Sequence, residues 1–199
     1  MKKRFIGKLE VSPIGMGCMG FSHGYGKIPE KQYSIEAIRK AYAFGCTFFD
    51  TAEVYGNELY WEGHNEEILG EAVESFRKNI VIATKLHIHD EEVTPNMDLY
   101  HLIKSHLEKS LKRLRTDYVD LYYLHRVNEF VPVEDVAYVM GKLIDEGLIK
   151  GWGLSQVDVD TLDKAHRVTP VTAVQNLYNI FFTIIAVGIA VAKTAAANT

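Results

Sequence analysis

The sequence predicts an α/β protein built as a (β/α)8 TIM barrel, incomplete, with about six βα units followed by an atypical apolar C-terminal tail. Three observations predict it. Short β-rich runs alternate with helical patterns of 10 to 15 residues, which calls for a parallel sheet. No G-x-G-x-x-G opens a helix directly after the first strand, which weakens the doubly wound dinucleotide fold. Asp50, Lys85, His125, Ser155 and Gln175 each fall in or at the end of a separate predicted strand, where barrel enzymes collect their function.

Composition sets the outer limits. A chain of 199 residues with 47% hydrophobic and 24% charged residues is an ordinary globular composition, long enough for one good core. A net charge of -4 and the lack of any block of five like charges give no electrostatic case for a nucleic-acid partner. Met1 to Arg4 is basic, but Phe5 to Pro13 lacks the apolar run of a signal peptide, so a cytoplasmic location is expected. Cys18 and Cys46 stand in separate apolar contexts without CxxC or Cys/His spacing, as expected of a reducing compartment and no metal site.

Phe5 to Val11, with the turn at Ser12 and Pro13, reads as an N-terminal hairpin or plug. Ile14 to Phe21 reads as a strand entering a glycine-rich loop. Gly20 in that loop would let backbone approach a ligand closely, and a plain flexible loop would use the same residues. Ser34 to Phe44 has apolar residues at 35, 38, 41, 42 and 44, helical spacing that Gly45 ends. Thr47 to Asp50 is a short buried strand, because two aromatics and a β-branched residue precede a lone carboxylate.

The loop from Gly56 to His64 carries Tyr60 and Trp61, which either cover a substrate pocket or pack on its rim. Asn65 reads as the N-cap of a helix running to about Phe76, with Glu66 and Glu67 in its first turn. Ile80 to Thr84 is the next strand, with Lys85 at its end, and His101 to Leu114 is an amphipathic helix. Tyr118 to Leu124 is a strand ending in His125 and Arg126. Val133 to Glu146 is a helix, Ile149 to Leu154 a strand ending in Ser155 and Gln156, Asp158 to His166 a short helix, and Ala173 to Leu177 the sixth strand.

Asp50, Tyr55, Lys85 and His125 would suit one reaction if they shared a pocket. A phenol is by itself a weak proton donor at neutral pH. An ammonium beside it stabilises the phenolate, and a carboxylate beside the ammonium keeps that cation charged and oriented. A neutral histidine can hydrogen-bond a substrate oxygen. The set fits protonation of a carbonyl oxygen as hydride reaches its carbon. None of these side chains supplies hydride, so a nicotinamide cofactor is implied. Taken singly, Lys85 could equally be a surface lysine and His125 a satisfied rim histidine.

From about Lys8 to Asn179 the chain resembles the aldo-keto reductases. The matching pieces are I-G-M-G-C-M-G at 14 to 20, G-C-T-F-F-D-T-A-E-V-Y-G at 45 to 56, N-E-E-I-L-G-E-A at 65 to 72 and I-A-T-K at 82 to 85. D-Y-V-D-L-Y-Y-L-H-R at 117 to 126, I-K-G-W-G-L-S at 149 to 155 and V-Q-N-L-Y-N at 174 to 179 complete them. The wording is closer to the bacterial, fungal and plant branch, and to the potassium-channel β subunits, than to the aldose reductases. The resemblance implies reduction of small aldehydes and ketones with NADPH. It makes Tyr55 the general acid, Lys85 and Asp50 its tuners, and His125 the donor that orients the carbonyl. Gly20, Asp50, Ser155, Gln156 and Gln175 become cofactor contacts, with Gln156 where relatives usually carry Asn.

The resemblance stops at Asn179, so the expected division is a partial barrel at 1–179 and a divergent apolar tail at 180–199. The run I-F-F-T-I-I-A-V-G-I-A-V-A, 13 residues long, is shorter than the roughly 20 a membrane helix needs. It looks like an alternative ending of a truncated product, and it could cover an open barrel edge as strand or helix. An unclosed barrel exposes strand edges, so self-association is a further expectation. Beside the reductase stands an alternative, a catalytically impaired barrel fragment acting as a binding or regulatory subunit.

Overall fold

The computed structural model describes residues 2–24 and 26–177. The chain opens with β1 (Arg4–Ile6) and β2 (Leu9–Val11), an antiparallel hairpin, and continues with β3 (Met16–Gly17), α1 (Lys31–Ala43) and β4 (Phe48–Asp50). Then follow α2 (His64–Val73), β5 (Val81–Leu86), α3 (Leu99–Leu114), β6 (Leu121–Leu124), α4 (Val133–Asp145), β7 (Trp152–Ser155), α5 (Val159–Val168) and β8 (Ala173–Gln175). Strands β3 to β8 form a six-stranded parallel sheet in sequence order. This is a half-barrel, with β3 and β8 as its two edges among the described residues.

The side-chain period of two divides the strands into two faces. Phe49, Ile82, Tyr122, Leu124, Trp152 and Leu154 face the helices and join Ile35, Ile38, Leu69, Leu107 and Met140 in the main core. Phe48, Ala83, Leu121, Tyr123 and Ala173 form a smaller inner cluster, closed by Ile6 and Leu9 of the hairpin. The hairpin therefore plugs the end of the sheet where the strands begin, which leaves the other end, where the strands finish, free for a site.

Helix α2 docks on α3 through two glycines. A Cβ at Gly70 would meet the Arg113 carbonyl at 2.4 Å, and one at Gly63, where φ is 87°, would meet the Arg113 side chain at 2.2 Å. Arg113 can then reach inward between the helices and pair with Glu66 and Glu62.

Several local expectations are corrected. Gly63, not Asn65, precedes the first turn of α2. The Asn65 side chain instead donates to the Cys18 carbonyl and Ser22 Oγ and accepts from Thr51 Oγ1, because three tertiary bonds outweigh one cap bond. Helix α2 stops at Val73 and continues as a 3-10 stretch, Glu74–Asn79, broken by Phe76 at φ -130°. Phe44, assigned to the apolar stripe of α1, is 82% exposed, since the helix has already ended at Ala43. Lys85 lies inside β5 and not beyond it. No helix among the described residues is long and apolar enough to cross a membrane. The tail at 180–199 lies outside the described residues.

Candidate active site

The inner face places the chemistry. Counting by two from the inner apolar cluster, Phe48 leads to Asp50, Ala83 to Lys85, and Leu121 through Tyr123 to His125. Gly153 leads likewise to Ser155, and Ala173 to Gln175. All five polar residues thus project inward at the end of the sheet away from the hairpin.

Lys85, with no exposed surface, is the hub. Its Nζ donates to Asp50 Oδ1 at 2.6 Å, to the Thr51 carbonyl at 2.6 Å and to the Tyr55 hydroxyl oxygen at 3.2 Å. Three donors meeting three oxygens satisfy a buried ammonium completely. The same Nζ lies 4.9 Å from the centroid of the Tyr55 ring.

Tyr55 is half-buried on the loop after β4. A turn bond from its N–H to the Ala52 carbonyl and a bond from the Asn65 N–H to its own carbonyl tie that loop to α2. Its ring meets His125 edge-on, centroids 5.7 Å apart, and is stacked with His23 at 6.4 Å. Burial first, then the charges of Lys85 and Arg126 and the neighbouring His87, push the His125 imidazole down to a pKa of about 3, so it is neutral at ordinary pH. Its Nδ1 is buried and finds no hydrogen-bond partner among the described residues.

On the far side, Gln175 Nε2 donates to Asp50 Oδ2 at 3.2 Å, and Ser155 Oγ accepts from Arg126 at 3.1 Å. Gln156, at φ 55°, bonds the Gln175 carbonyl through its backbone N–H and exposes its side chain. Gly20 lies in the 3-10 turn Met19–Phe21, just past Cys18, whose N–H bonds the Asp50 carbonyl. A Cβ at Gly17 or Gly20 would meet nothing within 4 Å, so neither packing nor backbone conformation demands glycine there. The structure brings Asp50, Tyr55, Lys85, His125 and Gln175 together, sets Ser155 beside them, and leaves Gln156 facing outward.

Tyr60 and Trp61 pack on the start of α2. Tyr60 stacks on His64 at 4.0 Å, and Trp61 Nε1 donates to Glu67. This is the rim placement of the two weighed from the sequence. Sequence reasoning missed His23, whose ring lies 6.4 Å from that of Tyr55, His87, 6.2 Å from His125, and Glu53, two residues before Tyr55 in the chain. Glu53 carried a signal, an acid between Ala52 and Val54 in an apolar stretch.

A parallel half-barrel with an acid, a phenol, an ammonium and an imidazole at one strand end defines a class, the barrel proteins that work at the C-terminal face. The Aldo/keto reductase family model matches residues 13–192, and the chain belongs to that family. The Glycine max protein named "Probable aldo-keto reductase 1" is 41% identical over 170 residues, 83% of this chain and 47% of that protein. A thermostable aldo-keto reductase crystallised with the inhibitor epalrestat superposes with a TM-score of 0.78 at 30% identity, covering 92% of this chain and 65% of the other. An aldo-keto reductase from Klebsiella pneumoniae in complex with NADPH gives a TM-score of 0.71 at 30% identity, covering 89% and 59%. The chain spans about half the length of the curated relatives it matches.

Proposed function

We propose that this chain carries the reacting centre of an oxidoreductase that reduces aldehydes or ketones to alcohols with hydride from NADPH. The observation behind this reading is the Lys85 hub, whose ammonium bonds the Asp50 carboxylate and the Tyr55 oxygen at once, beside an imidazole held neutral. Tyr55 is the general acid. As its proton moves to the carbonyl oxygen, the charge left on the phenolic oxygen is met by the Lys85 ammonium, which Asp50 holds in place. His125, held neutral, offers a ring N–H as a hydrogen bond to the same carbonyl oxygen and keeps its proton, which orients the carbon.

The reduced nicotinamide, when bound, supplies the hydride. The residues present fit it. Gln175 and Ser155 offer an amide and a hydroxyl on the inner face, suited to a carboxamide's mixed donor and acceptor edge. Gln156 steadies Gln175 through its backbone N–H on the Gln175 carbonyl, and the open space over Gly20 admits a close-lying group. The NADPH and NADP complexes of the Klebsiella pneumoniae relatives support the choice of cofactor.

The test is NADPH oxidation with a panel of aldehydes and ketones, beside a fluorescence titration of NADPH. Tyr55→Phe should abolish turnover and leave cofactor affinity nearly unchanged. Turnover retained in Tyr55→Phe would refute the assigned acid. No saturable NADPH binding would favour the second reading, a barrel fragment that binds a partner, which the two sheet edges β3 and β8 make physically reasonable.

A further inference from the structure

Behind the reacting groups lies a second buried charge cluster that carbonyl reduction does not use. Glu53, two residues before Tyr55, has no exposed surface. Its Oε1 accepts the backbone N–H of His87, and its Oε2 meets His106 Nδ1 at 3.0 Å. Its backbone adds two further ties, with its N–H on the Lys85 carbonyl at 3.4 Å and its carbonyl accepting from Gly63, just before α2, at 2.7 Å. His106 sits on the inward face of α3, 3% exposed, with Nε2 2.9 Å from Glu92 Oε1. The second oxygen of Glu92 accepts the His89 N–H at 2.9 Å.

One imidazole is thus clamped between two carboxylates, and each carboxylate also grips the backbone of the loop after β5. A ring facing acceptors at both nitrogens must donate from both, and only the imidazolium can. Burial pulls the His106 pKa down, but its hydrogen bonds and charge attraction to Glu53 and Glu92 prevail and leave it raised. The surrounding groups do not replace it. Glu66 of α2 is already paired with Arg113 of α3, and the Tyr122 phenol of β6 is kept protonated by burial. His87 is shifted toward the neutral form, first by burial and then by His89.

We propose that Glu53 and His106 form a positioning pair that pins the Tyr55 loop to the strand end bearing Lys85, and that loss of the His106 proton loosens the Tyr55–Lys85 contact. Neutral His106 can donate from one nitrogen only. Glu53 then keeps a buried charge without its counter-ion, and the two loops lose their common anchor. The catalytic meaning of the pair rests on the carbonyl-reduction reading, whereas its geometry is testable without turnover.

The test follows carbon-13-labelled tyrosine and histidine in the full chain by NMR across about pH 5 to 10, the range in which imidazole and phenol titrate. The Tyr55 resonance, assigned by its loss in Tyr55→Phe, should inflect at the pH where His106 inflects. In Glu92→Gln, a change at a partly exposed residue that the fold tolerates better than one at His106, both inflections should move together to lower pH by about half a unit or more. A Tyr55 resonance that ignores the His106 titration, or stays put in Glu92→Gln while His106 moves, overturns the proposal. Where NADPH is oxidised, kcat should fall on the alkaline side at the same inflection, with the carbonyl KM changed less than about twofold. Turnover without NMR coupling sinks the positioning pair and spares the reductase reading. Coupling without any turnover does the reverse.

Discussion

Gln175 donates its side-chain amide N–H to Asp50 at 3.2 Å although three strands separate β8 from β4 in the sheet. A flat sheet of that order would hold the two strands well over ten ångströms apart, at just under five per strand. The contact therefore measures the curl of the half-barrel. It also links the reacting groups to the residues proposed to hold the cofactor. Gln175→Leu should raise the Kd for NADPH by about tenfold, equivalent to about 1.4 kcal/mol, in a fluorescence titration. An unchanged Kd would remove Gln175 from the cofactor site.

Lys85→Met should abolish carbonyl reduction and destabilise the fold by about 3 kcal/mol in urea unfolding, because it strands the Asp50 carboxylate. Adding Asp50→Leu should restore much of the stability and none of the activity. If the double variant is no more stable than the single one, the Lys85–Asp50 pair is not what the lysine contributes to folding.

His125 gives a pH prediction with a definite sign. Its folded pKa of about 3 lies below the ordinary imidazole value. The unfolded chain therefore binds a proton that the folded chain refuses, so stability falls as pH drops from about 6.5 toward 3. Above that window the group contributes nothing to the pH dependence. His125→Gln should flatten this part of the stability curve, followed by denaturant unfolding at several pH values. The rate of carbonyl reduction should show no His125 inflection near neutrality.

The His106 clamp works in the opposite direction. Its raised folded pKa means that its contribution is complete below the ordinary imidazole pKa and is lost as pH rises through the folded value. For Glu92, burial raises the pKa, but the His89 N–H and the His106 ring outweigh that and leave it lowered, so its share is lost only in acid. Unfolding by urea should show the clamp's stabilisation as a plateau between these two limits, absent in Glu53→Gln.

A separate ion pair tests the core near the strand starts. Arg77 meets Asp120 at 2.9 Å with both side chains buried, and Asp120 also accepts the Ile82 N–H and pairs with Lys150. Arg77→Ala should cost about 3 kcal/mol, the low end for a broken buried pair, because Lys150 remains. A loss below about 1 kcal/mol would place the pair with ordinary surface bridges.

The strands of the half-barrel were legible because buried parallel strands are short apolar runs, and each of these ends in a polar residue that cannot belong to the core. That is how Asp50, Lys85, His125, Ser155 and Gln175 stood out. The clamp was not legible. His106 lies among Ile103, Leu107 and Leu111 on α3, and a lone histidine on an apolar face carries no sign of what it will meet. Glu53 and Glu92 are distant in sequence from it, and only the docking of α3 unites them. Asn65 misled for the same reason, since local cap preference was overruled by three partners on two other segments.

Asp50, Lys85 and His125 come from the adjacent strands β4, β5 and β6, and Tyr55 from the loop leaving the first of these. Two neighbouring backbone ladders, β4 with β5 and β5 with β6, therefore set the spacing of the three strand-end groups, and the bonds from the Tyr55 loop to α2 and β5 set that of the fourth. The contacts that hold these four groups thus lie within β4 to β6, α2 and the loops between them, so the proposed cofactor grip and the proposed proton delivery are expected to be separable.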